Sequence, residues 1–570
     1  MMKKITFLIL ASIAFAGSGY LILSYISKTA VETKLAEIKM NIEKNIPNSD
    51  FMFGEVSTDV LANTAQVSDL ALNINDKTLV TANLLVILGN ELTLERAVIT
   101  GIEGSIKNRP LSLNFSVKNV LLTDVNTQSI NEFIDELDAD PVAAFEALND
   151  VSIGGLGFNG VSFTADVEDE EIFKLTGEAQ LSGVQNGAIE TLKMSGSVKD
   201  KYGEFFGNTI DSSLNSISIT GLDLGNLLTA VAMEDEQLLI AQLQNGFGIS
   251  AVSIEGLTAN IDDEVKTNLA NATIEIADNV INTFSLNDFN FINENEEISI
   301  NIETAQFRGL DLDFDYFSEM ALIENTARFY GLTDATFNNL SYVIEGEEFE
   351  IGEFRLADVT FEDAILVRGI LALHRIKLPI SLISEMDRSI ARAIESFTNS
   401  ESLTLSISNS IDLNIESGTY DTDLNFGIEG FAEVRLNAAL AGLDVAQIRK
   451  ASKANNTSEV MKILGVVSEK LSISSFSLEY NDDQLAEALL SETPDVGQLV
   501  GMSEMQIDMM LRQYTEQAEQ LKASIKAFLE GKNGFSFSMS AQPPVRIMDM
   551  QQLFETGDMT KSIIFGFEGS

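Results

Sequence analysis

From Phe51 onward, apolar residues recur at every second position. Val56, Thr58 and Val60, then Val67, Leu70, Leu72 and Ile74, then Leu84, Val86 and Leu88, then Leu92, Leu94, Val98 and Ile102 trace successive strands. Asn75-Asp76 and Gly89-Asn90 supply turn residues between them. This predicts an antiparallel meander. The same alternation dominates residues 271–367, through Ile274 and Ile276, Phe284 and Leu286, Ile298, Ile300 and Ile302, and Phe354, Leu356 and Val359. It resumes at Leu403–Ile407, Ile411–Ile415, Leu424–Ile428 and Phe431–Leu436. An alternating strand puts its apolar side chains on one face, so these strands predict sheets with one greasy and one wet side.

A period near 3.6 interrupts this pattern. Val31, Leu35, Ile38 and Ile42 predict an amphipathic helix that Pro47 ends. Helical spacing also marks Thr127–Leu148, Leu224–Leu243 and Leu378–Phe397. Near the C-terminus, Asp444 fits an N-cap. Ser503–Glu530 reads as one long helix, with Ser503 and Gln506 as a capping box and Gly531 at the C′ position. Its Met502, Met505, Met509 and Met510 suit a core stripe better than an adaptable contact surface. Leu471–Tyr480 and Phe535–Met539 read as strands, Asp483–Leu490 as a short helix, and Pro543-Pro544 as the start of the closing segment. Val151–Leu156 and Val252–Leu257 share V-S-I-x-G-L, each after a strand and a helical stretch, which predicts an internal repeat.

The longest apolar run, Ile5–Ile26, follows Lys3 and Lys4 and carries no charge. As a helix it covers about 30 Å, the hydrocarbon thickness of a bilayer. Ile5, Phe7, Leu8, Ile9, Leu10, Leu21, Ile22, Leu23 and Ile26 are its candidate anchor residues. Ala14-Phe15-Ala16 also fits a signal-peptide cleavage site, but the apolar character continues well past it, favouring a retained anchor. Either way the chain is exported. The lysines orient an anchor with residues 1–4 in the cytoplasm.

Charge and composition narrow the chemistry. With 86 Asp plus Glu against 36 Lys plus Arg, the net charge is -50, which repels phosphate backbones and excludes nucleic acid as a partner. Cys is absent and His occurs once, so thiolate sites, disulfides and His-based catalysis have no basis. Leu310-Asp311-Leu312-Asp313-Phe314-Asp315 contains D-x-D-x-D, yet Tyr316 and Leu322 stand where an EF-hand loop needs Gly and Glu. Its carboxylates belong to the wet side of a strand. Acidic clusters at Glu168–Glu171, Asp262–Glu264 and Glu294–Glu297 read as hairpin tips. His374 has no triad partners, and Gly154-Gly155 with Gly157 falls inside a strand, where no phosphate loop forms. No catalytic, cofactor or metal site is expected, and the protein is not read as an enzyme.

The opening, with Tyr25-Ile26-Ser27-Lys28 before the helix, Val67-Ser68-Asp69-Leu70-Ala71-Leu72, and Leu92-Thr93-Leu94-Glu95-Arg96-Ala97-Val98-Ile99-Thr100-Gly101, resembles AsmA-like envelope proteins and the YdgA-type family of Gram-negative bacteria. The resemblance implies a single-pass inner-membrane protein with its bulk in the periplasm. For AsmA-like members it also implies a long groove shielding lipid tails. The expected fold is mainly β with interspersed helices (α+β): an elongated, curved, groove-like antiparallel sheet behind a transmembrane helix. It divides as the anchor (5–26), an amphipathic helix (27–47), a repeated β-rich region (48–320), a second with one helix (321–440) and a mixed C-terminal region (441–570). Leu310, Leu312, Phe314 and Tyr316 are candidate groove-lining residues. The expected function is binding or transfer of lipids or other apolar envelope components, with inner-membrane lipid and envelope proteins as partners. The alternative is a structural or assembly scaffold of the envelope with no lipid path.

Overall fold

A computed structural model describes residues 28–45, 49–126, 151–223, 248–311, 332–381, 402–447, 466–482, 496–510, 515–529, 534–549 and 563–569, apart from a few single or paired positions within them. The anchor residues Ile5–Ile26 therefore lie outside the described residues, as do the helical stretches 127–148 and 224–243. Among the described residues no helix is long and apolar enough to cross a membrane. The chain is mostly β and antiparallel, and it forms two compact units, one through Asn295 and one from Glu296.

The first unit opens with α1 (Lys28–Asn45), the predicted amphipathic helix. Short strands β1 (Ser49–Met52) and β2 (Val56–Asp59) both pair with β3 (Thr64–Ile74). An antiparallel succession follows: β4 (Lys77–Asn90), β5 (Thr93–Asn108), β6 (Leu111–Asn126), β7 (Ile153–Val167), β8 (Glu170–Gln185), β9 (Ala188–Asp200), β10 (Ile210–Asp223), β11 (Ala251–Ile261), β12 (Val265–Ala277) and β13 (Val280–Asn293). Each strand pairs with the next. Gly89 and Asn90 are not a turn: they extend β4, and Asn90 pairs with Thr93. The second V-S-I-x-G-L copy lies within β11, and the first runs into β7 at Ile153, after residues 224–247 and 127–150 respectively.

The second unit holds β14 (Ile298–Arg308), β15 (Leu310–Asp311), β16 (Asp334–Ile344), β17 (Glu347–Glu362), β18 (Ile365–Pro379), β19 (Ser402–Asn414), β20 (Thr419–Ile428), β21 (Ala432–Ala441) and β22 (Ser472–Asp482). Helices α2 (Val496–Met510) and α3 (Thr515–Leu529) follow, then β23 (Gly534–Arg546) and β24 (Ile563–Gly569). Three expectations change here. Leu378 and Pro379 end β18, so the predicted helix opens two residues later, at Ile380, and most of it lies outside the described residues. Ser503–Glu530 is two helices. Lys522 of α3 is ion-paired to Asp508 of α2, side chains that one straight helix would hold about 21 Å apart. Ser503 and Gln506 are then in the middle of α2 and not at a helix start, and Met502 and Met505 are exposed rather than core. Finally, Pro543-Pro544 belongs to β23, where the register jumps from Ser540 opposite Ser475 to Val545 opposite Ile473. Two prolines fit a sheet at such a bulge because neither donates to the ladder.

The main core lies in the first unit. Val31 and Leu35 of α1 are fully buried against Phe51, Val67, Leu84, Ile99 and Ile102, a burial contributing roughly 1.5–3 kcal/mol per side chain. The Lys39 ammonium donates to Asp50 Oδ1 at 2.8 Å and ties α1 to β1. That contact raises the Lys39 pKa and lowers that of Asp50.

Candidate functional site

Residues directly opposite on antiparallel strands share a face, so the registers trace rows across each sheet. In the first unit one row runs Val67, Leu84, Ile99, Val120, Phe158, Ala179, Met194, Ile217, Ile254, Ala272, Leu286. Every member is apolar. Beside it on the same face, the row from Ala65 and Val86 through Leu122, Leu156, Leu181, Leu192, Ile219 and Val252 to Ile274 and Phe284 is equally apolar. The opposite face carries Gln180, Lys193, Ser218, Ser253, Thr273 and Ser285 in register, with Thr273 and Ser285 hydrogen-bonded at 2.6 Å. The faces are segregated over these strands. In the second unit the row Ala305, Phe337, Phe354, Leu373, Ile407, Phe426, Val434, Tyr480, Phe535 has the same character.

A repeated irregularity preserves these faces. In β5, β6 and β7 the row Gly101, Lys118, Gly160 is one residue more than β4 and β8 carry there. Asn215, Gly256, Ala270 and Asp288 do the same in β10 to β13. In the second unit the row is Glu303, Asn339, Gly352 and Arg375, and it stops at β19. An extra residue reverses the pleat, so the core-facing positions on either side of it are three apart: Ile99 and Ile102, Phe158 and Val161, Ile254 and Leu257, Phe337 and Leu340. Asparagines on the wet face flank the irregularity and bond across strands, Asn159 to Asn119 at 2.6 Å and Asn287 to Asn271 at 2.5 Å.

The apolar face is covered unevenly. From β3 to β6 its side chains are mostly buried, with α1 packed on β1 and β2. From β7 onward they are mostly half-buried, and Met194 is 40% exposed. In the second unit α3 packs on β23 and β24, while Leu371, Ile407 and Phe426 are 44%, 36% and 37% exposed. In β8 and β9, which lie between the two irregular rows of the first unit and lack the extra residue, Gly177 faces Gly196. Their neighbours in that row are Val161 and Leu214. The bare glycine pair leaves an open notch of about 400 Å³ walled by Val161, Leu175, Ala179, Met194, Val198 and Leu214.

The predicted residues fare variously. Leu310 is half-buried in β15, and Leu312, Phe314 and Tyr316 lie outside the described residues. His374 is half-buried on the wet face, opposite Glu353. Gly154, Gly155 and Gly157 sit within β7, and Asp262–Glu264 is an exposed hairpin tip. Among the described residues no group of three or more His, Asp or Glu is placed to hold a metal ion. On the wet face of β17 and β18, Lys377 donates to Glu350 at 2.8 Å and Glu348 at 3.0 Å, and these carboxylates raise its pKa. The apolar rows outside 310–316 were missed, although their signal, apolar pairs spaced by three around Asn or Gly, stands in the sequence.

A protein-family model described only as an uncharacterized protein matches residues 425–563, from within β20 to the start of β24. No curated protein matches the chain.

Proposed function

We propose that this protein binds or transfers lipids or other apolar envelope components on the apolar faces of its sheets. In this reading residues 5–26 hold it at the bacterial inner membrane, with the bulk of the chain in the periplasm. The observation that carries the reading is the set of unbroken apolar rows, half-buried from β7 onward and exposed at Met194, Leu371, Ile407 and Phe426. Greasy surface of this extent needs an apolar partner in water. The AsmA-like character of the first hundred residues supports the same reading. The alternative, an envelope scaffold whose apolar faces are covered by protein, draws support from α3, which packs on β23 and β24.

The full chain, purified in mild detergent, is expected to carry phospholipid detectable by mass spectrometry after organic extraction, and to take up a fluorescent phospholipid saturably from vesicles. A protein with neither extracted lipid nor uptake sinks the lipid reading and leaves the scaffold.

A further inference from the structure

We propose, resting on the lipid reading above, that the Gly177–Gly196 notch seats one acyl chain of a phospholipid, laid across β7 to β11 along the row Val161, Gly177, Gly196, Leu214, Leu257. Four observations favour hydrocarbon over an extended peptide as the occupant. First, the notch is sunk into the middle of a sheet whose strands β7 to β11 are each paired on both sides. An extended peptide lying there would find no partners for its own N–H and C=O groups, whereas an acyl chain needs none. Second, Glu178 is the one charged residue among those lining the notch, and alternation with Gly177 and Ala179 assigns its side chain to the opposite face, so the walls offer no cation to a charged partner. Third, a notch of about 400 Å³ falls in the size range of small-ligand sites. Fourth, five adjacent strands span about 19 Å, long enough for most of an extended acyl chain.

The glycines are required for a backbone reason too. A Cβ on Gly177 would come within 2.7 Å of the Ser195 carbonyl oxygen, and one on Gly196 would collide with that of Thr176. Substituting either glycine would therefore disturb the sheet as well as fill the notch. Ala179 fills it from the wall instead.

The test loads full-length protein with a phosphatidylcholine carrying a diazirine in one acyl chain, a zwitterionic headgroup being suited to a chain of charge -50. Photolysed adducts are mapped by peptide mass spectrometry. The expected result is labelling concentrated on the peptides containing Met194 and Leu214, reduced roughly tenfold in Ala179→Leu. Gln180→Leu, which adds bulk on the opposite face, is expected to label like the wild type, and matching circular dichroism melts establish that both variants are folded. Labelling confined to other peptides, or unchanged in a folded Ala179→Leu, overturns the notch while leaving the lipid reading standing. Absence of any lipid binding by the wild type removes both.

Discussion

At the scale of single residues, a few polar contacts settle where elements begin and how they meet. Asp444 was legible as a helix cap, and its Oδ1 accepts the Gln447 N–H at 3.2 Å at the helical turn beginning with Val445. The sequence did not show that Lys470, distant in the chain, donates to Oδ2 at 2.9 Å. The Lys470 ammonium first, and the Gln447 N–H second, hold the Asp444 carboxyl below its ordinary value. A depressed carboxyl contributes stability above its unfolded pKa and loses it as pH falls through the folded value. Asp444→Asn keeps the cap acceptor but drops the charge. The wild type is therefore expected to be the more stable at neutral pH, with the gap closing below about pH 4 in urea titrations. A gap that persists unchanged to acid pH would show that the ion pair contributes nothing.

At the scale of the element, the strands were largely legible because alternation reports burial directly. Val67, Leu70, Leu72 and their counterparts fall where the period placed them. Helix joints were less so. The apolar stripe of 503–530 is continuous in composition, and it is the packing of α2 on α3, with the Asp508–Lys522 pair, that shows the two turning back on one another. The extra residues of β5–β7 and β10–β13 were overlooked because spacing by three inside a period of two reads as noise until the register is known. Their asparagines offer a test. Asn159→Leu leaves Asn119 without its 2.6 Å partner on the half-buried wet face, a loss of about 1–3 kcal/mol. In a double-mutant cycle with Asn119→Leu, the second substitution is expected to cost much less than the first. Strict additivity would deny the pair any coupling.

At the scale of the molecule, the balance of charge and grease governs behaviour. With 86 Asp plus Glu against 36 Lys plus Arg, the acidic groups outnumber the cations by 50, and their mutual repulsion opposes the compact state. Raising NaCl from about 10 mM to 0.5 M shortens the Debye length severalfold, so thermal stability is expected to rise with salt. A melting temperature that falls instead would mean that ion pairs such as Lys377 with Glu350 outweigh the repulsion. The sequence alone determined the β class, most of the strand positions, and the separation of greasy from wet side chains, since each follows from local spacing and composition. Register is different. It is set by which strands meet and by where extra residues fall, so only the tertiary structure joined apolar positions from distant strands into rows. The pairing of Gly177 with Gly196 is a contact across β8 and β9, and the notch it leaves exists only once those strands are aligned.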